Sequence, residues 1–148
     1  MLELTIDANG FRHLSGLLKD FPQLIDDAAE QAALTVRNLV RGRTPVGPRK
    51  AGAGWRADPH AGLAKKSWTE VRRVSTGFSF GLDVPYANVL EYGGYTSVGP
   101  RTVAESGGIF SRQAPGGMIT PVLGDPTALK KISALVASEI TRGVRKHA

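Results

Sequence analysis

The chain has 148 residues, no cysteine and a formal net charge of +6. That length allows one domain with one modest core, and the absence of cysteine excludes a disulfide scaffold, a thiolate metal site and a cysteine nucleophile. No stretch approaches the roughly 20 apolar residues that span a bilayer, and the first residues lack a basic segment leading into an apolar run, so the expectation is a soluble protein made in a cytoplasm.

Leu2, Leu4 and Ile6 alternate with Glu3, Thr5 and Asp7, which predicts a short strand with one buried face. Asp7 or Asn9 is placed to cap a short helix over 11–19. The firmest element follows, a helix over 22–41 opened by Pro22 with Asp20 as a nearby cap. Leu24, Ile25, Ala28, Ala29, Ala32, Val36, Leu39 and Val40 recur there at helical spacing, acids precede arginines, and the order complements the helix dipole. Residues 42–62 hold five glycines and three prolines without periodicity and predict a long loop.

Residues 67–74 predict a strand, and Ser75-Thr76-Gly77 a turn. Phe78, Phe80, Leu82 and Val84 alternate with Ser79, Gly81 and Asp83, as in a half-buried strand that completes a hairpin. A short helical segment after Pro85 ends at Gly93-Gly94. A second Gly/Pro-rich loop is expected over 93–118, with Met118-Ile119-Thr120 as a short strand before Pro121. Asp125 and Pro126 then open the last helix, which carries Leu129, Ile132, Leu135, Val136, Ile140 and Val144. The fold class expected is α+β: two main helices packed on a small antiparallel sheet, in one domain spanning 1–148 with extended loops at 42–62 and 93–118.

The basic residues cluster at Arg37, Arg41, Arg43, Arg49 and Lys50 and again at Arg142, Arg145 and Lys146. Both clusters fall at or past a predicted helix C-terminus, where the dipole is reason enough for them. Few residues are arranged for chemistry. His13, His60 and His147 are far apart with no second ligand at metal spacing. Gly52-Ala53-Gly54-Trp55 and Gly47-Pro48-Arg49-Lys50 lack the remaining positions of phosphate-binding loops. Asp83 and Glu91 are the nearest thing to a paired general acid and base, and a solvent-facing strand residue and a structural salt bridge explain them as well. Trp55 and Trp68 flank Arg56, Lys65 and Lys66, an arrangement compatible with single-stranded nucleic acid, but no helix-turn-helix pattern is present. No enzyme, metal or cofactor is expected.

Three segments together resemble a known family. Arg43-Thr44-Pro45-Val46 after the first helix is followed by Gly62-Leu63-Ala64-Lys65-Lys66-Ser67-Trp68. Val84-Pro85-Tyr86-Ala87-Asn88-Val89-Leu90-Glu91-Tyr92-Gly93 is the most specific part. Ile119-Thr120-Pro121-Val122-Leu123 then leads into an amphipathic helix. This pattern resembles the tail-completion, or head–tail joining, neck proteins of long-tailed bacteriophages, which include the minor tail protein Z type. The resemblance covers 22 to the C-terminus. It departs from the family in the insertion at 47–61 and in the length of the second loop.

The resemblance implies a structural virion protein, assembled in the host cytoplasm and located in the neck or tail. Its partners would be copies of itself in a six-fold ring, a head-completion or connector protein, and a tail terminator or tail tube protein, with non-specific contact to packaged DNA and none to membrane. A tail terminator or other minor tail protein is the nearest alternative, and a basic nucleic-acid-binding module is the alternative from another class. Subunit-interface residues expected are Glu91, meeting a neighbour's arginine, together with Tyr92, Arg101, Ile109, Phe110, Arg112 and Trp55. The second loop is expected to order only against a neighbour, because Ile109 and Phe110 are interface anchors that a purely solvated loop would not need. Purified protein is expected to be silent in nuclease, protease and glycosidase assays, and activity lost on substituting Glu91 would overturn that reading.

Overall fold

The β1 strand, Leu2–Asp7, lies antiparallel to β3, Gly77–Leu82, with Leu2, Leu4 and Ile6 opposite Leu82, Phe80 and Phe78. The computed structural model describes residues 1–7, 22–52 and 56–147; the expected helix over 11–19, His13 and Trp55 lie outside them. The β2 strand, Arg72–Val74, pairs with the other side of β3, so the three-stranded antiparallel sheet has the order β1-β3-β2. Two long helices, α1 over Pro22–Arg43 and α5 over Pro126–His147, complete an α+β fold.

The central strand is buried at all six positions rather than on one face. Phe78, Phe80 and Leu82 face the core as their alternation requires. On the opposite face, Arg72 donates from Nη2 to Glu3 Oε1 at 3.0 Å and from Nε to Ser79 Oγ at 3.3 Å. An ion pair reaching across from the two flanking strands therefore roofs Ser79 and Gly81, and both are small enough to fit beneath it. The same hydrogen bond from Arg72 holds the Glu3 carboxyl below its ordinary pKa.

Alanines let α1 serve two partners at once. Ala28 and Ala32 pack against Val136 of α5, with Ile132 and Ile140 beside it, while Ala29 and Ala33 pack on Phe78 of the sheet. Further along, Val36 and Val40 enter the main core with Trp68, Phe80, Leu82 and Met118. Arg37, taken from sequence as part of a basic surface cluster, is buried. Its guanidinium donates to Thr69 O at 2.6 Å, Trp68 O at 3.2 Å and Glu70 Oε1 at 2.7 Å. Those carbonyls need an outside donor because the strand expected over 67–74 is ordered as ladder only at Arg72–Val74. Ahead of it, Leu63–Lys66 forms a helical turn, α2, and Trp68 makes a lone bridge to Leu82.

The second loop is also more structured than its composition suggests. β4, Thr102–Glu105, and β5, Gly108–Ser111, form an antiparallel hairpin closed by Ser106-Gly107, with Gly107 at positive φ. The six-residue helix α3, Ala87–Tyr92, sits before it. Met118-Ile119-Thr120, expected as a strand, instead turns into the short helix α4, Thr120–Gly124, with Pro121 in its first turn. Asp125 Oδ1 accepts Thr127 N at 2.9 Å and caps α5, as its sequence position predicted.

Two glycines test the packing of the helix pair. Gly143 of α5 lies against Leu24 of α1, and a Cβ there would overlap the leucine side chain, whereas Gly42 of α1 has open space around it. Gly143→Val should therefore cost about 1–3 kcal/mol through overpacking, while Gly42→Ala should gain up to about 1 kcal/mol from helix propensity. Thermal unfolding of the two variants checks both signs.

Candidate assembly interface

Side chains of the segments at 43–46, 62–68 and 84–93 build a hydrogen-bond network with one another and with the turn at 115–120. Trp68 donates its indole N–H to Thr44 Oγ1 at 2.8 Å, and Thr44 in turn donates to Val40 O at 3.0 Å. Arg43, at the end of α1, donates from Nε to Gly117 O at 3.0 Å and from Nη2 to Pro115 O at 2.7 Å. Glu91, on α3, takes the other end of the same turn. Its Oε2 accepts Met118 N at 2.7 Å and Ile119 N at 2.8 Å, and its Oε1 accepts Thr120 N at 3.0 Å and Thr120 Oγ1 at 2.8 Å.

This corrects the expected role of Glu91. The residue is only 4% exposed, and its carboxylate takes four donors from its own chain. Nothing is left facing outward for a neighbour's arginine. The physical reason is geometric: the backbone at 118–120 is bending into α4, its first N–H groups have no helical acceptors, and an anion at that end satisfies them. Phe110 is corrected in the same way. It is buried within the subunit, where its ring packs on Gly93. Gly93 adopts φ +72 to end α3, and a Cβ there would lie 2.7 Å from the Phe110 ring, so both the left-handed backbone and the close approach require glycine.

The other expected interface residues ring this network at different depths. Tyr92 is 64% exposed at the end of α3. Arg112 is exposed, with Nε donating to Thr102 O at 3.0 Å. Arg101 is half-buried and donates from Nη2 to Val46 O at 3.1 Å, tying the hairpin to the first loop. Ile109 is half-buried and bonds through its backbone to Gly93 O and Tyr95 N, which fastens the hairpin to the end of α3. Tyr92, Arg101, Ile109 and Arg112 thus belong to the α3 end and the hairpin, while Glu91 and Phe110 are spent inside. Val98, Leu123 and Leu129 are exposed, although Leu129 belongs to the apolar period expected of the last helix, and nothing in the sequence marks Tyr86 and Tyr95 as a pair.

Between the first loop, α3 and the hairpin lies a cleft of about 230 Å³ whose lining includes Asp58, His60, Tyr86, Tyr95 and Arg101. Partial burial, then the negative charge of Asp58, raise the Tyr86 phenol above its ordinary pKa. Burial raises Tyr95 too, against the opposing pull of Arg101. Both phenols therefore stay neutral near neutral pH and act as donors or acceptors rather than as phenolate bases. Asp58 accepts the backbone N–H of His60 at 2.8 Å, and among the described residues no side chain of this group is hydrogen-bonded to another. Among the described residues no group of three or more His, Asp or Glu is arranged to hold a metal ion.

Removing Glu91 leaves buried N–H groups unpaired, each at a cost of about 1–3 kcal/mol. Glu91→Ala should therefore lower stability by about 2–5 kcal/mol in urea unfolding, where an exposed interface pair would move it by no more than about 1 kcal/mol. A loss under that lower bound would return Glu91 to the surface role. No family model, curated protein or solved structure matches the chain.

Proposed function

We propose that this chain is a structural subunit of a long-tailed bacteriophage neck, joining the head connector to the tail tube as part of a six-fold ring. The observation that carries the reading is the resemblance of Pro85-Tyr86-Ala87 through Glu91-Tyr92-Gly93 to the neck-protein signature, taken with the other two segments. The geometry supplies a physical reason for that pattern that needs no catalysis. Ala87 and Leu90 enter the core, Glu91 clamps the turn at 118–120, and Gly93 admits Phe110. Each position serves to build a rigid corner from which Tyr92 and the hairpin project.

In this reading the ring contacts use the exposed side chains around that corner: Tyr92, Val98 and Arg112, with the cleft between Tyr86 and Tyr95 receiving a neighbour's side chain. Large aromatic and arginine side chains supply contact area and planar hydrogen bonding at such interfaces. The protein's work would be mechanical, through shape and charge complementarity in the virion.

Deleting the gene from the phage genome that encodes it should leave filled heads and finished tails that do not join, and added purified protein should join them. Tyr92→Asp should keep the wild-type melting temperature, since the side chain is exposed, yet reduce joining at least several-fold by infectious titre. Normal particles from the deletion would overturn the proposal.

A further inference from the structure

The outer face of α5 is basic towards both ends, and the helix dipole accounts for only one of them. The helix carries Lys130, Lys131, Arg142, Arg145 and Lys146 against a single acid, Glu139. All five cations are exposed. Arg142, Arg145 and Lys146 lie in the last two turns, where positive charge complements the dipole. Lys130 and Lys131 lie in the second turn, past the Asp125 cap, where the dipole gives no reason for them. Of these five cations only Arg142 is ion-paired among the described residues, to Glu139, and its side chain is still 64% exposed.

At about 100° per residue, Lys130, Lys131, Arg142 and Arg145 fall within roughly a third of the helix circumference, opposite the face that buries Val136 and Gly143. Between the two groups of cations the face carries only Ala134, Ala137, Ser138 and Thr141, which line a shallow trough with Arg142, Arg145 and Lys146. Lys131 and Arg142 are about 16 Å apart along the axis at 1.5 Å per residue.

From this we infer that the outer face of α5 binds the phosphate backbone of duplex DNA without reading sequence. A smooth centre lets the helix approach closely. The groups stand wider apart along the axis than a groove about 12 Å wide, and their long flexible side chains reach inward to the two phosphate rows that border it. An acidic protein surface would not require charge in two sets with a small-residue gap. The inference stands apart from the assembly reading, since an isolated subunit and bare DNA suffice to test it.

Fluorescence anisotropy of a labelled mixed-sequence duplex, titrated over about 50–200 mM salt, should give a log–log slope of about −3 to −5. Replacing Lys130, Lys131, Arg145 and Lys146 together by Gln should weaken low-salt binding at least tenfold and flatten the slope by about 3. The same change at the exposed Arg49, Lys50, Arg56 and Lys66 should leave the slope near wild type. In the unaltered protein, bound duplex should protect Lys130 and Lys131 from amine-reactive labelling while Lys50 and Lys66 stay reactive, which tests the face without any variant. Equal losses in the two sets of variants, or uniform labelling with and without DNA, would overturn the inference. So would poly-glutamate binding as tight as duplex, which would assign the face to an acidic protein.

Discussion

The Glu91 carboxylate accepts three backbone N–H groups and one hydroxyl from Met118, Ile119 and Thr120, and most of the architecture is arranged around that capture. The turn it holds is the point where the chain leaves the hairpin and enters the C-terminal helices. Arg43 grips the same turn from the other side through the carbonyls of Pro115 and Gly117. Anion on the amides and cation on the carbonyls fix the peptide planes in one orientation, because reversing the turn would oppose like partial charges. With the turn fixed, α4 starts in register and α5 returns antiparallel to α1, so that Gly143 near its end meets Leu24 near the start of α1.

That return path explains why α1 is so rich in alanine. It must approach both the sheet and α5, and bulky side chains on either stripe would push one partner away. Ala28 and Ala32 face one, Ala29 and Ala33 the other, and the larger Val36 and Val40 come only where α1 meets the broad aromatic core at Trp68 and Phe80. Local steric economy thus lets one helix bridge two layers, and the buried Arg37 keeps the irregular strand segment beside it saturated with donors.

A division of labour follows between the inside and the outside of the molecule. Glu91 is consumed in holding backbone, while aromatic and cationic groups remain exposed at the end of α3, on the hairpin and along α5. Those groups project from a scaffold whose corner is cross-braced by Glu91 and Arg43. The neck reading and the phosphate-binding face on α5 draw on different sides of the same scaffold, so each stands or falls by its own chemistry.

The sequence by itself determined the two long helices, β1, the core face of β3 and the cap at Asp125, because each leaves a periodic or capping pattern within a single stretch of chain. It also carried the α+β class. The tertiary structure alone decided the rest. The hairpin Thr102–Ser111 escaped because its strands are four residues each, too short for a visible alternation, although Ser106-Gly107 between them was a turn signal. The second buried face of β3 depends on Glu3 and Arg72 meeting from strands about 70 residues apart in the chain. Glu91 was misplaced at the surface for the deepest reason: its partners are backbone N–H groups, which every residue but proline possesses, so no sequence pattern announces them, and only the fold brings a turn with unpaired donors up to a carboxylate.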